Sequence, residues 1–249
     1  MDAMIFAAGL GTRLRPLTRD IPKALVDIGG VPILEHVARR LVDAGADRLI
    51  INTHPHPDQI RAFVRDRDGF GVEVRFSHEP DAPLDTAGGL RQARDLFRAD
   101  APFFLHNCDV YSDIDLRALY EAHTAARDGR IASLAVLPPS AERYLIFDDA
   151  GLCGFSPRGG GEPVHVRPAV GARVHRDFSG IHVCDPALLG TLDDDTAPSI
   201  IMHYMKLSGD GARIARHDAL TAHWIDIGTH EKLDVARRLY REGTARHRA

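Results

Sequence analysis

At 249 residues, with 44% hydrophobic and 27% charged residues, the chain has the material for one large α/β domain with a substantial core. A net charge of −4 gives no global attraction for nucleic acid or an anionic membrane, so any anionic ligand must be drawn in locally. The three cysteines, Cys108, Cys153 and Cys184, form no close pairs, which excludes a disulfide framework or a Cys-rich zinc site, and no apolar run reaches membrane-spanning length; a cytoplasmic protein is expected.

An apolar strand is predicted over 3–7. It runs into Ala8-Gly9-Leu10-Gly11-Thr12-Arg13-Leu14-Arg15-Pro16-Leu17-Thr18, and Pro22-Lys23-Ala24-Leu25 follows. Two close glycines let backbone N–H groups approach a polyphosphate with no Cβ in the way. Arg13 and Arg15 bring forked cations to phosphate charge, and Lys23 a point charge. A dinucleotide fingerprint needs a small residue where Leu14 stands, and a Walker A loop needs a terminal Gly-Lys-Ser/Thr, so the loop is neither. It is built to hold a nucleoside triphosphate.

Ile33, Leu34, Val37, Leu41 and Ala44 then fall on one helical face, and Gly45 sits where that helix ends. A buried strand over 48–53, a helix over 58–65, a strand over 72–76, a helix over 86–98 and a strand over 102–106 follow. A helix over 114–127 is expected, with Asp113 as its N-cap. This alternation predicts a three-layer α/β fold: a mostly parallel sheet with helices on both faces and ligands at the carboxyl ends of the strands. The second half is less regular. Strands are expected over 131–137, 144–147 and 178–183, a flexible loop at Gly159-Gly160-Gly161, a helix over 200–207, a short strand over 223–227 and a terminal helix over 229–241. Asp109, leaving an apolar strand at its carboxyl end, is well placed to hold Mg²⁺. His54-Pro55-His56 lacks partners at zinc spacing and reads as a surface loop.

The loop from Gly9 to Thr18, with Pro22-Lys23, resembles the signature of sugar-1-phosphate nucleotidyltransferases, also called nucleoside-diphosphate-sugar pyrophosphorylases. The similarity extends from about Met4 to Leu239. It is nearest to short, single-domain bacterial types acting on N-acetylmuramate 1-phosphate or on mannose- or heptose-type 1-phosphates. The resemblance implies a Rossmann-like fold in one domain, 1–249, with a nucleotide half over about 1–130 and a sugar half over about 131–249. The C-terminal β-helix of longer relatives is expected to be absent. It implies an enzyme that joins a sugar 1-phosphate to an NTP and releases pyrophosphate, with both substrates as its partners; no oligomeric state follows.

Carried onto this sequence, the resemblance makes Asp109 and Asp226 the ligands of a Mg²⁺ cofactor. Arg13, with the backbone from Ala8 through Gly9, Leu10 and Gly11 to Thr12, would hold the β- and γ-phosphates, and Lys23 the α-phosphate or leaving oxygen. The segment Glu79-Pro80-Asp81-Ala82-Pro83-Leu84-Asp85-Thr86-Ala87-Gly88-Gly89 resembles the nucleobase segment, with Asp85 where Leu-Gly-Thr-Ala-Gly has its first glycine. Glu79 or Asp85 would accept from ring N–H groups, or backbone near Gly88 would read the base with Asp85 serving as a helix cap. A carboxylate matches the paired N1–H and N2 donors of guanine, so GTP ranks slightly ahead of UTP and CTP last. On the sugar side, Glu142-Arg143-Tyr144-Leu145 resembles Arg-Tyr-Gly with Leu145 for glycine, Gly161-Glu162-Pro163 stands nearest the usual Glu-Lys-Pro, and Phe178-Ser179-Gly180-Ile181 matches the usual turn beside the sugar. Leu145, Glu162 and Gly180 are therefore the sugar-side candidates. No lysine stands at the sugar-phosphate position; Arg167, Arg173 or Lys206 would have to substitute. Two other readings share the loop: a non-catalytic sugar-nucleotide-binding member of the fold, and a transferase acting on a non-sugar phosphate.

Overall fold

The computed structural model describes residues 1–98, 100–140, 144–157 and 161–243. In chain order the elements are β1 (Asp2–Phe6), β2 (Asp27–Ile28), β3 (Val31–Pro32), α1 (Ile33–Asp43), β4 (Arg48–Thr53), α2 (Pro57–Arg65), β5 (Glu73–His78), α3 (Asp85–Ala93), β6 (Phe103–Asn107), β7 (Val110–Ser112) and α4 (Leu116–Ala125). The second half holds β8 (Arg130–Leu137), β9 (Tyr144–Asp148), β10 (Gly151–Ser156), β11 (Val164–His165), β12 (Val174–Cys184), α5 (Ile200–Gly209), β13 (Arg213–Asp218), β14 (Trp224–Asp226) and α6 (His230–Arg241).

β1 pairs in parallel with β4 and β6, and β4 with β5. β12 is antiparallel to β6 and β8, and β13 is parallel to β8. In this central sheet, β12 thus runs against six strands that share one direction. Side-chain alternation divides the core between two faces. Ala3, Ile5, Leu49, Ile51 and Phe104 face α1, α2, α4 and α6, whereas Met4, Ile50, Phe103 and Leu105 face α3 and α5. Ile5, Leu49 and Phe104 are fully buried, each contributing on the order of 1.5–3 kcal/mol. The expected three layers are present. Among the described residues α6 is the last element, and no helix is long and apolar enough to cross a membrane.

One departure from the layered core shapes the site. The N-terminal part of β12 runs past the carboxyl end of β6 and pairs with β9, which continues through β10 to β11. These strands form a wall beyond the carboxyl edge of the main sheet. Asp148, its side chain fully buried at the end of β9, anchors the wall. It accepts from both terminal nitrogens of Arg167 at 2.7 and 2.6 Å, from Val170 N at 2.7 Å and from Ala150 N at 2.9 Å. Burial alone would raise the Asp148 carboxyl; these donors outweigh it and hold it at about 2.

Several boundaries differ from the sequence expectation. The helix expected over 114–127 begins later: its cap is Asp115, which accepts from Ala118 N at 2.9 Å. Asp113 instead accepts from His223 N at 2.7 Å, drawn there by the neighbouring strand β14. α3 ends at Ala93 and tightens into a 3₁₀ turn over Arg94–Leu96. β12 is longer than expected, and β10 and β13 are additional strands. Glu142, Arg143, Gly159 and Gly160 lie outside the described residues.

Candidate functional site

The carboxyl ends of β1, β4 and β6 open into a cleft of about 190 Å³, bordered by Ala7–Gly9, Asn52, Asn107–Asp109, Lys23, Glu79, Asp85 and Thr86. Gly11 turns the loop after β1. Its φ is +61°, a left-handed conformation that favours glycine, and its carbonyl accepts from Thr18 Oγ1 at 2.7 Å and Leu14 N at 2.9 Å. A β-carbon there would sit 3.1 Å from both Lys23 Cβ and Thr18 Cγ2. At Gly9 a β-carbon would meet nothing within 4 Å, so this backbone faces the open cleft. Arg13 lies in the 3₁₀ turn Thr12–Leu14 with its side chain exposed.

Asn52, at the end of β4, ties the loop to the far wall. Its Oδ1 accepts from Ala7 N at 2.6 Å and Ala8 N at 3.3 Å, and its Nδ2 donates to Glu79 Oε1 at 2.7 Å. Glu79 Oε2 accepts from Leu84 N at 2.8 Å, so both oxygens of this buried carboxylate are engaged within the protein. Asp85 has a φ of +60° and accepts from Thr86 N at 2.6 Å. The left-handed conformation explains why glycine suits this position and why aspartate, which tolerates it, can replace glycine. The first turn of α3 is docked on the chain before α5: Ala87 N donates to Pro198 O at 2.7 Å, Gly88 N to the same oxygen at 3.4 Å, and Ile200 N to Thr86 Oγ1 at 2.8 Å.

Asp109 and Asp226 are 117 positions apart in the chain, and β7 and β14 bring them together. Asp226 stands opposite Val110 in that antiparallel pair, and Ile227 N donates to Asp109 O at 2.9 Å. Each carboxylate holds a lysine ammonium: Lys23 Nζ on Asp109 Oδ2, and Lys232 Nζ on Asp226 Oδ2. Burial would raise the Asp226 carboxyl, but the Lys232 hydrogen bond and charge, Gly228 N at 3.0 Å and the Lys23 charge together hold it below the usual range. A β-carbon at Gly228 would lie 2.6 Å from Asp226 Oδ1 and 2.8 Å from Arg13 Nη2, so glycine lets both groups flank this turn. The His230 ring N–H donates to Arg15 O at 3.0 Å and clasps the loop to the start of α6.

The cleft thus gathers Ala8, Gly9, Lys23, Glu79, Asp85 and Asp109, with Arg13 and Asp226 meeting at Gly228 beside it. Sequence reasoning missed Asn52 and Lys232. An Asn ending an apolar strand was a usable signal for the first; Lys232, in the first turn of an amphipathic helix, carried none.

The sugar-side candidates are more dispersed. Gly180 has a φ of +81° at a bulge in β12, and a β-carbon there would lie 2.6 Å from Asn107 Nδ2, which places it against the cleft. Trp224 Nε1 donates to Ser179 O at 2.8 Å beside it. Leu145 is buried on the wall and lines a separate cavity. Glu162 is exposed beside β11. Arg167 is committed to Asp148, Lys206 pairs with Asp210 at 3.0 Å on the surface of α5, and Arg173 is exposed ahead of β12; none of the three lines the cleft.

The family described as Nucleotidyl transferase matches residues 2–144. An N-acetylmuramate alpha-1-phosphate uridylyltransferase of Caulobacter vibrioides is 34% identical over 212 residues, covering 84% of this chain and 85% of the relative. A mannose-1-phosphate guanylyltransferase catalytic subunit beta of Drosophila pseudoobscura pseudoobscura is 32% identical over 230 residues, covering 91% of this chain but 58% of the relative. Among solved structures, HddC from Yersinia pseudotuberculosis complexed with GMP-PN superposes with a TM-score of 0.73 at 23% identity, covering 96% of this chain and 99% of that one, which bears out the fold. With the loop, the strand order and these similarities in agreement, the chain belongs to the nucleotidyl transferase family.

Proposed function

We propose that this enzyme joins UTP to a sugar 1-phosphate, giving a UDP-sugar and pyrophosphate. The observation that carries the reading is the pairing of two buried-edge carboxylates, Asp109 and Asp226, with two lysines at the mouth of a glycine loop. An acceptor phosphate oxygen attacks the α-phosphorus in line and pyrophosphate leaves, with no covalent enzyme intermediate. Catalysis is then positioning plus charge stabilisation. Loop N–H groups from Gly9 to Thr12 and the Arg13 guanidinium hold the β- and γ-phosphates. Lys23 and Lys232, already in place as counter-charges, neutralise the α-phosphate and the incoming acceptor phosphate. Lys232 thereby fills the role left open by the missing sugar-side lysine.

Asp109 and Asp226 would hold Mg²⁺. Each carboxylate already accommodates a cation, and the described residues contain no cluster of three or more His, Cys, Asp or Glu. That donor set suits an ion that takes its remaining oxygens from phosphates and water. When bound, Mg²⁺ supplies charge neutralisation at the phosphates.

UTP is favoured over GTP because both Glu79 oxygens are already bonded to Asn52 and Leu84. The buried carboxylate among the two candidates is therefore already satisfied within the protein, and only the exposed Asp85, with one oxygen on Thr86 N, is left to meet guanine's paired donors. The match to the uridylyltransferase takes in 85% of that relative's length, against 58% for the guanylyltransferase, which supports the same choice. Crossing UTP, GTP, CTP and dTTP with a panel of sugar 1-phosphates tests this: the highest kcat/KM is expected with UTP, and a tenfold preference for GTP would reverse the assignment.

A further inference from the structure

Residues 12–19 of the phosphate loop are anchored from inside by two side chains. Leu14 is fully buried, and the buried Thr18 donates its hydroxyl to Gly11 O at 2.7 Å. The rest of this arm, including Arg13, Arg15 and Arg19, is exposed. Its backbone hydrogen bonds are local: Leu14 N to Gly11 O and Leu17 N to Leu14 O, both at 2.9 Å, and Arg19 N to Pro16 O at 3.0 Å. Among the described residues, one hydrogen bond ties the arm to chain outside the loop. It is the His230 ring N–H on Arg15 O, across 215 positions of sequence.

His230 opens α6, and the turn that enters this helix also carries Asp226 and Gly228. A β-carbon at Gly228 would lie 2.8 Å from Arg13 Nη2, so the Arg13 guanidinium rests against the same turn. The arm is therefore held at two points against one short segment: its backbone at Arg15 and its side chain at Arg13. The bond from His230 uses a backbone carbonyl as acceptor, so the guanidinium donors of both arginines stay available to a ligand.

We infer that His230 is a positioning residue for NTP binding: its ring N–H holds the loop against α6 and so keeps Arg13 where the triphosphate must meet it. The inference rests on the assignment of this loop to the triphosphate. Without the bond the exposed arm samples positions in which Arg13 is withdrawn, and apparent affinity falls with the fraction still in place.

Steady-state kinetics of the full chain with Mg²⁺, each NTP in turn and a panel of sugar 1-phosphates test it. His230→Ala should raise KM for the NTP about 3–10-fold, the range that one exposed hydrogen bond gives, and leave KM for the acceptor unchanged. His230→Gln, whose side-chain amide reaches about as far as Nε2, should restore most of the loss; His230→Leu, of similar size but with no donor, should not. Because His230 acts through Arg13, adding His230→Ala to Arg13→Ala should raise KM for the NTP little further. Limited trypsin digestion gives a readout without turnover: the Arg13–Leu14 bond should be cut faster in His230→Ala than in the wild type, at unchanged Tm. An unchanged KM for the NTP, equal rises for NTP and acceptor, a full effect in the Arg13→Ala background, or equal rates of cleavage would overturn the inference and leave the proposed function standing. A wild-type chain that turns over no NTP with any of the acceptors would overturn the triphosphate reading, and the inference with it.

Discussion

The two glycines of the phosphate loop should separate stability from function. Gly11→Ala places a side chain at φ +61°, and its β-carbon 3.1 Å from Lys23 Cβ and Thr18 Cγ2. The left-handed conformation costs about 1–2 kcal/mol, and crowding that moves neighbours by a few tenths of an ångström adds roughly 1 kcal/mol. Against this, alanine stiffens the unfolded chain and returns about 0.5 kcal/mol. The net loss is about 2 kcal/mol, or a fall in Tm of about 4–8 °C for a chain of this size. Gly9→Ala meets no neighbour within 4 Å, and Gly9 lies outside the left-handed region, so its Tm should hold or rise slightly. Its methyl group, however, projects where the triphosphate must lie, and kcat/KM for the NTP should fall about 10–100-fold. Differential scanning fluorimetry and steady-state kinetics on both variants measure the contrast. Equal Tm losses, or normal NTP use by Gly9→Ala, would refute the assignment of Gly9 to the ligand face and Gly11 to the turn.

Other outcomes follow from the same geometry. Asp109→Asn should fold normally and lose about 10²–10³ in turnover, the scale of removing one key charge-stabilising group; near-normal kcat would take it out of the mechanism. Glu79→Gln replaces one acceptor facing Asn52 Nδ2 or Leu84 N by a donor and should cost about 1–3 kcal/mol of stability, while the UTP/GTP ratio of kcat/KM stays fixed. A tenfold change in that ratio would make Glu79 a base reader after all. Asp148, lowered from its ordinary 3.8 to about 2, contributes stability that is fully present above pH 3.8 and lost as pH falls toward 2. Acid unfolding curves should therefore show a loss in that window for the wild type that is missing in Asp148→Asn; parallel curves would contradict the role of the Arg167 pair.

The nucleotide half was legible because local chemistry and tertiary role coincide there. Glycines, arginines and Lys23 sit together in sequence as they do in space, and Asp109 and Asp226 each end an apolar run. Lys232 was not legible: its partner Asp226 is only six positions away, but the pair is brought beside Asp109 by the β7–β14 pairing, between segments more than a hundred residues apart. β10 was hidden by Gly151 and Gly154, which read as loop residues. In the fold they let strands close up: β-carbons there would lie 2.5 Å from Ile214 O and 2.6 Å from Val164 O. β13, with Arg213, Arg216, His217 and Asp218 in six residues, lacks an apolar run because it pairs only with β8, at the edge of the sheet. Asp113 looked like a helix cap because it precedes an apolar run; its attachment to His223 is a tertiary contact that the local pattern does not encode.

The central claim is that Lys23–Asp109 and Lys232–Asp226 flank a single centre where an NTP and a sugar 1-phosphate exchange a bond. Pyrophosphate release, followed continuously with UTP, Mg²⁺ and a sugar 1-phosphate, tests it most directly. The account predicts one pyrophosphate per UDP-sugar formed, with no release when the acceptor is left out. Pyrophosphate appearing without acceptor, or no release with any NTP and any sugar 1-phosphate, would contradict it.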